Sequence, residues 1–422
     1  MPQRATTFEP TAGWRAQYSV YFTSNVLSAA AASLVSLYLA STLSPSDYGA
    51  WSAYLMALSF LSMFVGLSVH GAAGASFFRL NRPAFAEYVS SVLVVVLTTA
   101  SLVGLMLMLF RDRAVAVSQT SGLWLALACA ESLFRFLRLI LLSVLISMQA
   151  TRHYVAFQLG YSLLDLLLVV VLVAVYPHVE SRLYAQLASS FYFSLLTLRS
   201  LRHLGLLTRR VKAEHLRHIL KFGVLLFPSV VGTFLMTMAD KYLVNVSLGH
   251  AALGVYMFSY QIAAAMALFW ESFNKVFAPR LFLFLSGGEG GVALRRLQRG
   301  YFAGALLLTA IGALSAYLAA PYLVPAGFED ARHILPILLV GEGFNGLYLM
   351  YNNYFHYHNK THFLSASSLL SGALGLLLLY GFLARYGVLF AAGTYALVCL
   401  VRLLSVRALL TLAAPRPELA EN

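Results

Sequence analysis

The sequence predicts an all-α membrane protein, and three observations carry that prediction. The 422 residues are 60% hydrophobic and 11% charged, with a mean hydropathy of +0.77. Apolar runs of about 20 residues, enough to cross a ~30 Å hydrocarbon layer as a helix, recur along the whole chain. The basic residues fall mostly in alternate loops, the positive-inside pattern of a multi-span protein. The net charge of +13 is therefore a membrane pattern and argues against a nucleic-acid partner.

Run length places about twelve spans. The first six are Gln17–Ala40, Ala50–Phe78, Tyr88–Phe110, Gln119–Ser147, Tyr154–Tyr176 and Leu183–Leu204. The last six are Phe222–Val246, Leu253–Phe277, Gly300–Ala320, His333–Phe355, His362–Ala384 and Val388–Leu410. The first run follows Arg4 and Arg15 and is expected to stay in place as a span. Between the two sets lies the most basic stretch of the chain, so the expected organisation is a six-helix lobe over 1–204, a linker over 205–221 and a six-helix lobe over 222–422. With six spans each, both lobes start and end on the same side, and a repeat relating them would turn about a pseudo-two-fold along the membrane normal.

One side collects Arg4, Arg15, Arg79, Arg82, Arg152, the Arg199–Lys221 cluster, Arg280, Arg295, Arg296, Arg299, Lys360, Arg407 and Arg416. The other holds Arg111, Arg113, Arg182, Arg332 and Arg385. The first side is expected to be cytoplasmic, with both termini inside. The linker, with Arg209, Arg210, Lys212, Arg217 and His218, suits an amphipathic helix on the anionic inner leaflet. The two longest loops, this linker and Ala278–Arg299, both fall on that side. In the seventh span, Pro228 and Gly232 favour a bend, and Ser247–His250 reads as the turn into the eighth. Cys129 and Cys399 lie inside apolar runs and build neither a disulfide framework nor a metal cluster.

A weak internal repeat joins the halves. Ser44-Pro45-Ser46-Asp47-Tyr48-Gly49-Ala50-Trp51 follows the first span, and His250-Ala251-Ala252-Leu253-Gly254-Val255-Tyr256 follows the seventh. Each sets a glycine just before an aromatic at the start of the next helix. With Asn25, Gly66-Leu67 and Arg79, the first stretch resembles the opening helix pair of the polysaccharide transporter family, the Wzx-type flippases of the MOP superfamily. Asp240-Lys241-Tyr242-Leu243, Leu248-Gly249, Leu253–Tyr256 and Pro279-Arg280 are similar to that family's seventh and eighth helices. The resemblance implies a transporter, not an enzyme, that moves lipid-linked oligosaccharides across the bacterial inner membrane. It also implies work beside polysaccharide polymerase machinery.

Charges inside the spans are expensive in hydrocarbon and point to protein or water contacts. Glu131, Arg135 and Arg138 share one face of the fourth span, with Asp165 at comparable depth in the fifth. One reading is a cationic cavity wall whose guanidinium groups grip a diphosphate. The other is a packing network in which the two acids neutralise the arginines. Asp240 and Lys241 are adjacent, about 100° apart on a helix, and are not expected to pair side by side. They read as an ion-coupling or cavity pair, or as interhelical ties. Glu271 and Lys275 suit an intrahelical pair. Arg402 has no acid on its own helix. Glu342, Asn345, Leu349, Asn352 and His356 form one stripe of the tenth span, fit for sugar hydroxyls, while Tyr351, Tyr354, Phe355 and Tyr357 suit an interfacial aromatic belt. His356, His358 and His362 lack companion ligands for a metal.

The substrate candidates are thus Arg135, Arg138, Arg402, Lys241, Glu342 and Asn345. Candidates for coupling to H+ or Na+ are Asp165, Asp240 and Glu131. No cofactor is expected. Two alternatives stand beside the flippase: a cation-coupled small-molecule exporter of the same superfamily, and a membrane-embedded polymerase or ligase. The basic residues in the spans disfavour the first, and the short outer loops the second.

Overall fold

The structure, a computed structural model, describes residues 14–67, 69–286, 291–357 and 362–413. The first half contains α1 (Trp14–Thr42), α2 (Pro45–Gly66), the short α3 (Val69–Phe77), α4 (Arg82–Leu109), the short α5 (Arg111–Ser118), α6 (Gly122–Ser147), α7 (Thr151–Val175) and α8 (Val179–His203). The second contains α9 (Ala213–Ser286), α10 (Gly291–Leu323), α11 (Ala331–Tyr357) and α12 (His362–Ala413). The long helices α9 and α12 each turn at one glycine, Gly249 (φ 84°, ψ 178°) and Gly387 (φ 71°, ψ −165°). Only glycine takes such angles without strain. Splitting α9 and α12 there leaves twelve membrane-length helical segments among the described residues, in register with the twelve expected spans.

Local sequence explains the helix starts. Ser44 accepts the Asp47 amide ahead of α2, Asn81 accepts the Ala84 amide ahead of α4, and Ser121 accepts the Trp124 amide ahead of α6. Each side chain satisfies an N–H that the helix leaves unpaired, and Pro45 and Pro83 occupy first-turn positions that need no donor.

Helices α1–α8 pack on one another, α10–α12 pack around α9, and the two sets meet chiefly along α2 and α9. Rings run down that seam, Phe60 5.6 Å from Phe234 and Phe64 5.3 Å from Phe227. At the end of the bundle far from the linker the helix starts cross without side chains between them. A Cβ on Gly49 would lie 1.7 Å from the His250 carbonyl oxygen, and a Cβ on Gly254 would lie 2.0 Å from the Pro45 oxygen. The contact is reciprocal, each glycine facing the carbonyl four residues ahead of the other. Phe328, from the loop between α10 and α11, is fully buried there, 5.6 Å from Tyr48 and 5.2 Å from Phe258.

Several expectations change. The second span breaks at Leu67, which adopts a left-handed φ of 40°, so α3 starts as a separate helix. The region expected as a surface helix over the linker is non-helical from Leu206 to Lys212; from Ala213 it is helical and part of α9. It docks on α4 through Lys212 to Glu87 at 2.5 Å and Tyr88 to His218 at 2.9 Å. Backbone angles remain helical through Pro228 and Gly232; the ring deletes one hydrogen bond without turning the helix. Much of the expected loop 278–299 is helix, since α9 runs to Ser286 and α10 starts at Gly291. The side chains of Asn25, Lys275, Pro279, Arg280, His356 and His362, and residues His358 and Lys360, lie outside the described part. So do Arg4, the Arg15 side chain and Arg416.

Candidate functional site

Each half buries a polar cluster at mid-depth in its helices. In the first, Glu131 on α6 is 3% exposed. It accepts the Tyr54 hydroxyl of α2 at 2.5 Å and the Gln186 amide of α8. Asp165 on α7 pairs with Arg182 on α8 at 2.9 Å, and the Arg182 guanidinium lies 5.2 Å from the Trp51 ring centre. Arg138 stacks on Tyr161 with its guanidinium carbon 3.6 Å from the ring centre. Arg135, on the same helix, is exposed.

The second cluster is built on α9, α11 and α12. Lys241, 0% exposed, donates to the Thr237 carbonyl at 2.6 Å and to Asp240 at 3.2 Å, and lies 3.7 Å from the Tyr260 ring centre. Tyr256 donates to the other Asp240 oxygen at 2.8 Å. Glu342 accepts from Tyr395 at 2.5 Å and from Asn345 at 3.2 Å. Arg402 donates to the Asn345 oxygen and sits over Tyr348, its guanidinium carbon 3.8 Å from the ring centre. Tyr260 and Tyr395 stand edge to face with centres 6.0 Å apart, which links Lys241 to Glu342 through two rings.

The adjacent Asp240 and Lys241 do pair, contrary to the sequence expectation. Helical side chains lean toward the N-terminus, and the lysine stem is long enough to bring its ammonium back over Thr237 and Asp240.

Of the two readings of the first cluster, the one in which Glu131 and Asp165 neutralise Arg135 and Arg138 does not match the pairs the described residues make. The described residues contain three ion pairs: Arg182–Asp165, Lys212–Glu87 and Lys241–Asp240. Arg135, Arg138 and Arg402 are in none of them. Glu131 is satisfied by neutral donors, and Asp165 is taken by an arginine that sequence reading placed in a loop. Arg182 sits only one turn into α8, and its long stem carries the charge inward.

Sequence reasoning missed Tyr54, Gln186, Tyr256, Tyr260 and Tyr395, because tyrosines and glutamines in apolar runs read as packing. A faint signal was present. Gln186 lies seven residues after Val179, where α8 begins, and Tyr395 lies seven after Val388, where the second arm of α12 begins. Each supplies a donor to the buried glutamate of the helix it packs on, α6 or α11. The clusters are therefore partial copies of each other. Asp240 and Tyr395 also line a cavity of 200 Å³ between α9 and α12.

A family model described as polysaccharide biosynthesis protein matches residues 38–284. The chain belongs to that family. No curated protein matches. Among solved structures, the chain is similar to the lipid II flippase MurJ in an inward closed conformation, with a TM-score of 0.75 at 14% identity over 93% of this chain and 87% of that one. It is similar to an inward-facing multidrug resistance MATE family transporter of the MOP superfamily, with a TM-score of 0.67 at 15% identity over 89% and 91%. A MOP superfamily transporter from Pyrococcus furiosus, whose binding pocket is described as of reverse polarity, gives 0.63 at 14% over 93% of each chain. At these identities the likeness establishes the fold alone: the all-α, multi-pass helical bundle that these solved transporters share.

Proposed function

We propose that this chain is a flippase that moves polyprenyl-diphosphate-linked oligosaccharide repeat units across the bacterial inner membrane for surface polysaccharide synthesis. The observation that carries this reading is the trio Arg135, Arg138 and Arg402, none of them in an ion pair among the described residues. A cation inside a membrane costs several kcal/mol unless it is matched. Two of the three are held only by ring faces and an amide, and the third is exposed, so their charge is available to an anionic substrate. A diphosphate suits the forked donors, while Glu342, Asn345 and Lys241 stand near Arg402 as partners for sugar hydroxyls. The prenyl tail stays in lipid.

The linker end is cytoplasmic on this reading, with both termini inside, and the glycine crossing closes the opposite side in the state described. Alternation then consists of parting that crossing while the lobes close at the linker end. Asp240 is the first carboxylate to test for H+ or Na+ coupling because it lines a cavity. Asp165 and Glu131, each held by strong partners, come after it. A polysaccharide polymerase is the expected downstream partner.

The experiment is the sidedness of lipid-linked sugars in cells depleted of the protein. Complete repeat units held on the cytoplasmic leaflet are expected, with rescue by the wild-type chain and not by Arg402→Gln. Unpolymerised units on the outer leaflet would point to a polymerase or ligase instead. Unchanged lipid-linked sugars together with increased drug accumulation would favour an exporter.

A further inference from the structure

We infer that the crevice between α4 and α6, capped by Arg111, holds the prenyl tail of the transported lipid on the outer-leaflet side, with its phosphate against the guanidinium. This rests on the flippase reading above. Helices α4 and α6 touch where the Cys129 thiol approaches the Ala100 carbonyl at 3.7 Å. From around that contact toward the end far from the linker, they line an open crevice of 370 Å³, mostly apolar. A Cβ on Gly104 would meet no atom within 4 Å. From Gly122 to Leu133, both in its lining, α6 rises about 16 Å. That is close to half of a ~30 Å hydrocarbon core, so the crevice is one leaflet deep.

Charge supplies the polar end of the ligand. Arg111 folds over Gly122, where a Cβ would lie 2.6 Å from its Nε. Arg111 and Arg113 are exposed on the side of the molecule where basic residues are scarce, with Asp112 the acid between them. Arg111 is in no ion pair among the described residues. A phosphate at the interface gains a charge-assisted bond there without leaving water.

Continuity favours the prenyl lipid over a bystander phospholipid. The crevice shares Leu107 and Leu125 with a second apolar cavity of 380 Å³ at the seam of the two halves, lined by Phe60 and Phe234 among others. That cavity in turn shares Leu235 and Ala239 with the one containing Asp240 and Tyr395. Adjoining apolar space thus leads from the polar cluster, through the seam, to Arg111. A single long tail can follow it while its head group passes between the lobes.

The test uses the full chain in nanodiscs of phosphatidylethanolamine and phosphatidylglycerol, with a diazirine-bearing polyprenyl phosphate probe and peptide mapping. Labelling is expected on 100–108 and 122–133, displaced by unlabelled polyprenyl phosphate and not by added phosphatidylglycerol. Arg111→Gln is expected to cut it about tenfold, the loss of one charge-assisted bond. Gly104→Leu and Ala126→Leu, which fill open or exposed positions, are expected to abolish it with an unchanged size-exclusion profile. Displacement by phosphatidylglycerol to the same extent, or labelling spread evenly over lipid-facing helices, would overturn the inference. Sugar-lipid flipping without crevice labelling overturns it alone and leaves the flippase reading standing. A wild-type chain that flips no prenyl-linked sugar sinks that reading itself.

Discussion

At the scale of single residues, what matters is which charges are already matched. Arg402 sits over Tyr348 and donates to an amide, an arrangement that a lysine point charge does not reproduce. Arg402→Lys and Arg402→Gln are both expected to slow flipping in reconstituted vesicles by about tenfold or more, the worth of one charge-assisted bond. Melting temperature is expected to change little. Arg182 and Asp165 are the opposite case, a matched pair with side chains 8% and 13% exposed. Asp165→Asn strands a buried guanidinium and is expected to cost about 3–5 kcal/mol, whereas Asp165→Asn with Arg182→Gln costs much less. A double-mutant cycle on thermal unfolding in detergent reads the difference, and additive costs would show that the pair is not coupled. The sequence made the acids and arginines legible as unusual, since any charge in an apolar run stands out. It could not assign partners, because Glu131 chose a tyrosine 77 residues away and a glutamine 55 residues away. Pairing across helices depends on rotation and depth, which no local pattern encodes.

At the scale of elements, run length and glycine spacing were enough to place the spans and the turn at Gly249, because hydrocarbon thickness sets helix length. The break at Leu67 was not legible, since a leucine after a glycine in an apolar run gives no warning of a left-handed φ. The loop between α10 and α11 was equally silent, although it carries Phe328 into the seam. Its neighbour Glu329 accepts the Gly327 amide at 2.9 Å, and that bond holds its carboxyl below the usual carboxylate range. The sign follows from linkage: the folded state binds the proton more weakly, so the contribution is full above the ordinary glutamate value of about 4.3 and fades as pH falls through the lowered one. The protection factors over 324–330, exchange rates corrected for the intrinsic pH dependence, are expected to fall in acid in the wild type and to lose that fall in Glu329→Gln. An exchange rate insensitive to Glu329 would remove its role in securing the loop.

At the scale of the molecule, the composition and the placement of basic residues made an all-α, multi-span membrane protein legible, and the Gly49 and Gly254 motifs hinted at repetition. Their meeting was not legible, because a contact made of absent side chains leaves no hydrophobic pattern. Gly49→Val introduces atoms where the His250 carbonyl already sits, and the crossing is expected to stay parted. A thiol reagent confined to the outer solution should then label a cysteine at Ala53 faster than in the parent, and unchanged labelling would show that the crossing does not seal this side. The reciprocity of that contact has a consequence for ancestry. Each half contributes the same two things to it, a carbonyl and a bare Cα four residues later, which is what an isologous interface requires of identical subunits. A single unit of this kind could therefore dock against its own duplicate, and the non-helical 206–212 stretch would be a tether acquired after fusion. The two halves made as separate chains from one cell carry the means to find each other.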